Sequence, residues 1–114
     1  MIDLTEFESI SPYTDEQASE ALGKLADYPA VAQASRYFFP EESPDFLKNV
    51  LKQIKTIDQF QVLVMQRFVR WVLEHTAKNF SYDGISNIDP NKKFLALSNH
   101  RDIIMDPAIT QLVL

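Results

Sequence analysis

The ten residues Ser98-Asn99-His100-Arg101-Asp102-Ile103-Ile104-Met105-Asp106-Pro107 hold a histidine, an arginine and two carboxylates in one short span. An imidazole titrates near pH 6.5, so a histidine can accept a proton at neutral pH when a carboxylate holds its other ring nitrogen as N–H. Spacing decides which carboxylate could serve. On an unbroken helix, at about 100° per residue, positions 100 and 106 stand roughly 120° apart and do not face each other. They can meet if His100 stands on a loop and Asp106 at the mouth of a helix, the arrangement that Pro107 directly after it suggests. Asp102 is nearer in sequence, but two residues of loop fix no geometry, and it reads as a solvated loop carboxylate. Asp106 is also a good helix N-cap, a role that can coexist with orienting the imidazole.

Such a loop needs a strand before it and a helix after it, and the flanking residues read that way. Phe94-Leu95-Ala96-Leu97 is a four-residue apolar run, short enough for a strand buried on both faces. Residues 79–84 alternate in polarity with period two, and Asp89-Pro90-Asn91 is a turn cluster. Ile109, Leu112 and Val113 give the closing helix an apolar face. In open α/β sheets, catalysis gathers at the carboxyl ends of strands, where this loop would lie.

Upstream of residue 79 the pattern is helical. Thr14 and Gln17 have the form of a capping box opening a helix to about Asp27, with Ala18, Ala21, Leu22 and Leu25 inward. Pro29 opens a second helix ending at Phe39, with Val31, Ala34, Tyr37 and Phe38 on one face, and Pro40 stops it. Ser43-Pro44 repeats the cap signature ahead of a stripe of Phe46, Leu47, Val50, Leu51 and Ile54. A longer helix is expected from Asp58 to Lys78, with Phe60, Leu63, Val64, Phe68, Trp71, Val72 and His75 along one face. His75 reads as a core or boundary residue, and Phe38, Phe39, Phe46, Phe60, Phe68 and Trp71 as core. If several of these aromatics prove exposed together, an acyl-chain or membrane-surface contact is the alternative. Residues 1–13, with Ile2, Leu4, Phe7 and Ile10, read as an acidic arm that is extended or loosely helical.

The fold class is therefore mainly α: a helical bundle over residues 1–78, then the opening strands and helix of an α/β domain over 79–114. A buried strand needs neighbours on both edges, so the sequence reads as the N-terminal part of something longer. The exposed strand and last helix are expected to self-associate or stay mobile.

Composition narrows the function. Sixteen acidic residues against 11 basic ones give a net charge of −5, the wrong sign for holding nucleic acid through its phosphates. The absence of cysteine excludes a disulfide scaffold, a Cys-ligated metal and a thiol nucleophile, and two histidines this far apart support no metal site. At 114 residues, 46% of them hydrophobic, a sizeable core is available, since folding at this length removes roughly two-thirds of the unfolded chain's surface. The longest stretch free of Asp, Glu, Lys and Arg is eight residues, against about 20 for a membrane span. Six acidic residues precede Lys24, the first basic one, so the N-terminus lacks the basic start of a secretory signal, and a cytoplasmic location is expected. His100-Arg101-Asp102 also spells the H-R-D of a kinase catalytic loop, but the required Asn would fall at Pro107 and no Gly-rich loop lies upstream.

Asn99-His100 followed by Asp106-Pro107-Ala108-Ile109 resembles the first motif of the glycerol-phosphate and lysophosphatidate acyltransferases, N-H-x-x-x-x-D on the loop after a strand. The Asp-Pro-Ala and the helical region ahead of it are similar to the soluble glycerol-3-phosphate members. The resemblance covers residues 79–114 and one of the family's several motifs, and five residues rather than four separate His100 from Asp106. It implies that His100 acts as general base on a glycerol hydroxyl attacking an acyl thioester, that Asp106 orients the imidazole, and that Asn99 stands with the substrate contacts; Arg101 is placed to touch a phosphate, though no motif of the family assigns it. No bound cofactor is implied; the acyl donor would be acyl-CoA or an acyl-carrier protein, and the acceptor a glycerol phosphate or lysophosphatidate. Lipid products imply peripheral contact with the inner face of the membrane. The phosphate-binding motifs lie outside these residues, so the 114-residue chain is expected to be inactive by itself. The competing reading is a non-catalytic helical module that docks a protein partner or acyl-carrier protein, with His100 structural.

Overall fold

The computed structural model describes residues 5–99 and 101–114. The expected parts that fall on Met1–Leu4 and on His100 lie outside the described residues. The chain is mainly helical, and by its internal contacts it divides into two compact units, Met1–Val64 and Met65–Leu114.

In the first unit, a 3-10 turn over Thr5–Ile10 leads to α1 (Asp15–Leu25). The capping box forms as the sequence implies: the Gln17 N–H donates to the Thr14 hydroxyl, and the Thr14 N–H to Gln17 Oε1, at 3.3 and 2.9 Å. Ala18, Ala21 and Leu22 are half-buried, but Leu25 is exposed and Ala26 is buried in its place. The buried line follows i, i+4 through Leu22 and Ala26, which turns Leu25 off the packed side.

Pro29 stands at the first position of α2 (Pro29–Phe38), where its missing N–H costs nothing. This helix buries Val31 and Ser35, with Phe39 enclosed just past its end, while Tyr37 points to solvent. The start of α3 (Phe46–Gln53) draws a donor's partner from outside its own segment: the Leu47 N–H donates to the Ser35 hydroxyl at 3.3 Å. Ser35 thereby satisfies one of the orphan donors of a helix N-terminus, the role that the sequence assigns to the Ser43-Pro44 signature. Leu47, Leu51 and Ile54 are buried as their stripe implies and join Ala26, Val31, Phe39 and Val64 in one cluster, with α3 lying against both α1 and α2.

The helix expected over 58–78 is not one regular element. It begins earlier, as α4 (Ile57–Phe60), with the Thr56 hydroxyl accepting from the Gln59 N–H at 3.1 Å. Gln61–Met65 then winds as a π-helix, and α5 (Gln66–Thr76) follows. A π turn closes i→i+5 bonds, so the phase of the apolar stripe shifts across it. Leu63, expected inward, is therefore exposed, whereas Val69 is buried.

The second unit departs further from expectation. Among the described residues no strand forms, so the two strands expected at 79–84 and 94–97 are corrected to irregular backbone. A strand requires a neighbour to exchange N–H and C=O bonds with, and local turns intervene instead. Gly84 takes a left-handed conformation (φ 84°) that opens a 3-10 turn over Ile85–Asn87, and the Asn91 N–H folds back onto the Asp89 carboxylate at 3.0 Å. Leu95 and Leu97, expected to be buried on both faces, are 82% and 87% exposed. The chain then enters α6 (Met105–Val113), whose Ile109, Leu112 and Val113 are half-buried and which lies against α5.

Candidate functional site

The loop that leads into α6 is organised by its two aspartates. Asp102 Oδ1 accepts the backbone N–H of Ile104 at 2.8 Å and of Met105 at 2.7 Å. These are the bonds an N-cap residue makes to donors two and three positions on, and the Asp106 N–H completes the turn to the Asp102 carbonyl at 3.3 Å. Asp102 is exposed on the loop, as its spacing suggests, and there it also caps α6. The two N–H groups, that of Met105 first, hold its carboxyl below the usual aspartate range by stabilising the charged form.

Asp106 does not precede the helix as an N-cap. It sits inside the first turn, half-buried, and its carboxylate reaches backwards: Oδ2 accepts the backbone N–H of Arg101 at 2.6 Å and of Asp102 at 3.1 Å. The pair forms a reciprocal clasp like a capping box, in which Asp102 closes the helix start and Asp106 closes the loop before it. Pro107 fits because it lies in the first turn, where no helical partner awaits an N–H.

Among the residues singled out by their chemistry, the structure brings Asp106 to the backbone of Arg101, the residue next to His100. His100 itself lies outside the described residues. Asn99 and the Arg101 side chain are exposed. The capping role of Asp102 is not assigned by its spacing to His100; its signal in the sequence is an Asp three places before the first regular helical residue.

His75, expected at the core or its boundary, is exposed. Its Nδ1 lies 2.8 Å from the Trp71 carbonyl oxygen one turn back, and its ring stacks on the indole at 4.4 Å between centroids. Of the aromatics expected as core, Phe39 is buried and Phe38, Phe46, Phe60, Phe68 and Trp71 are half-buried. Among the described residues, no cluster of His, Asp and Glu could hold a metal ion, and no helix is long and apolar enough to cross a membrane.

No family model, no curated protein and no solved structure matches the chain.

Proposed function

We propose that this chain supplies the helical region and first catalytic motif of an acyltransferase that moves a fatty acyl group from an acyl thioester to a glycerol-phosphate or lysophosphatidate hydroxyl. In this reading residues 1–78 are the helical part, 79–114 begin an α/β catalytic domain, and the donor is acyl-CoA or an acyl-carrier protein. His100 takes the proton from the acceptor hydroxyl as its oxygen attacks the thioester carbon; the C–S bond then breaks and the imidazolium returns the proton to the departing thiolate, while Asp106 holds the imidazole in the tautomer that can accept it. The nucleophile is the substrate's own oxygen, so the absence of cysteine is no obstacle.

The observation that carries the reading is the Asn99-His100…Asp106-Pro107-Ala108 block. It is supported by the bond from the Arg101 N–H to Asp106, which draws a carboxylate back to the peptide adjoining His100 although five residues separate the two. The test is acyl transfer to glycerol 3-phosphate and to lysophosphatidate by a protein carrying this chain together with downstream phosphate-binding motifs. His100→Ala should lower turnover at least a hundredfold with the helical circular dichroism retained, the scale of a lost general base. Unchanged turnover refutes the assignment.

One observation favours the second reading, a non-catalytic module. Among the described residues, the Asp106 carboxylate accepts from backbone N–H groups of its own loop, and a purely structural clasp accounts for these bonds. A coding sequence that stops after Leu114 would favour that module, and downstream arginine motifs the enzyme.

A further inference from the structure

The second unit contains two adjoining hollows, of about 380 and 360 Å³, each within the range of about 300–1,000 Å³ in which small molecules are held. Phe80, Tyr82 and Val113 line both and so form their common wall. The two rings stand 5.9 Å apart between centroids and tilted, an aromatic contact that both hollows share. The two sides differ in chemistry. The first is edged by Arg70, Glu74 and Lys78 of the α5 face and the residues after it; the second continues past Ile85, Ile88 and Ile109. Among the described residues, none from 99 to 106 lines either hollow, so the pair is distinct from the Asp102–Asp106 loop.

We propose that the two hollows are one site for a single-chain amphiphile with an anionic head, the head held by Arg70 and Lys78 and the chain laid along Phe80, Tyr82 and Val113 into the isoleucine-lined side. In the first hollow Arg70 and Lys78 stand with Glu74, a positive balance in an acidic protein, while Asp83 lines the second, so the cations are gathered at one end only. The C-terminal end of α5 carries the negative end of its dipole, so the head is held by the Arg70 and Lys78 side chains and not by the helix end. A head bearing negative oxygens gains charge-assisted bonds from the arginine and the lysine, and an alkyl chain leaves water against the apolar side. A free phosphate would find no apolar anchor, and a neutral alcohol no use for the cations. The site holds whether or not the chain takes part in acyl transfer, because its readout is binding.

The experiment is calorimetric titration of the 114-residue chain with dodecyl phosphate, dodecanol and inorganic phosphate, each below any micelle concentration. Dodecyl phosphate should bind saturably at one site. Inorganic phosphate should not bind, and dodecanol should bind about tenfold more weakly, since two exposed charge contacts are each worth a few-fold. The double variant Arg70→Gln with Lys78→Gln should lose that tenfold for dodecyl phosphate and leave dodecanol unchanged. If the double variant fails to fold, raising the salt on the unaltered chain gives the same discrimination, weakening the phosphate ester and sparing the alcohol. Absence of saturable binding overturns the proposal. So does equal affinity for ester and alcohol, which is apolar adhesion only, or a dodecyl phosphate affinity indifferent to both the double variant and salt.

Discussion

Residues 1–64 contain seven of the eight buried hydrophobic side chains among the described residues, gathered in one cluster, and residues 65–114 contain Val69 alone. The polar bonds divide in the same way. In the first unit the Ser19 hydroxyl donates to the Ile54 carbonyl at 2.8 Å, the Ile57 N–H to Asp15 Oδ1 at 2.8 Å, and the Leu47 N–H to Ser35, joining residues 12 to 42 positions apart. In the second, the side-chain bonds of Asp83, Asp89, Asp102 and Asp106 all close within five residues. Charge follows too: eleven acidic residues against five basic make the first unit −6, and five against six make the second +1. One unit is held by what lies far away in the chain, the other by what lies next door. A segment with few buried apolar contacts opens at low free energy, so stability should concentrate in residues 1–64.

The sharpest way to break that contrast is a pair of truncations. Ile54→Ala, at a side chain only 1% exposed, should destabilise by about 3 kcal/mol, while Leu95→Ala should change stability by less than about 0.5 kcal/mol. Urea unfolding followed by circular dichroism checks both, and comparable losses at the two sites would erase the distinction.

A smaller effect sharpens the second unit's side of the comparison. Asp102→Ala removes the cap of α6 and should speed amide exchange over residues 105–113 a few-fold, with amides of α1 to α3 unchanged. The pH dependence follows from the lowered carboxyl. A depressed folded value means that the native state binds fewer protons than the unfolded one, so the cap's contribution is complete above the ordinary aspartate range. It fades as pH falls through the lowered value. Asp27, lowered by Lys52 and then Lys48 at 2.8 and 3.2 Å, behaves in the same sense in the first unit. Acidification should loosen α6 in the unaltered chain and add nothing in Asp102→Ala; an undiminished acid response in the variant would remove Asp102 as its source.

What the sequence made legible is what is decided locally. Thr14 with Gln17, Pro29 at a helix start, and the spacing of Leu47, Leu51 and Ile54 each act within a turn or two, and each stands where expected. The π turn at Gln61–Met65 was illegible because no residue type there demands it, and it moved burial from Leu63 to Val69. Ser35 was illegible because its partner lies twelve residues on in another helix. The strands failed for a related reason: an apolar run such as Phe94–Leu97 has the composition of a strand, but a ladder partner is not a property of the run. In the candidate site, two aspartates ahead of one helix are equivalent by type, and only coordinates assign the cap to Asp102 and the backward reach to Asp106.

The two bonds from α1 to the 54–57 link have a bearing on the order in which the chain assembles. Closing residues 15 and 57 costs about 1 kcal/mol more loop entropy than closing 35 and 47, because that cost grows with the logarithm of length. We expect the α2–α3 hairpin to form on the way up the barrier and α1 to arrive on the way down, seating itself in a berth that already exists. Ser19→Ala should then quicken unfolding and leave the refolding rate almost untouched, whereas slowed refolding would put α1 in the nucleus instead.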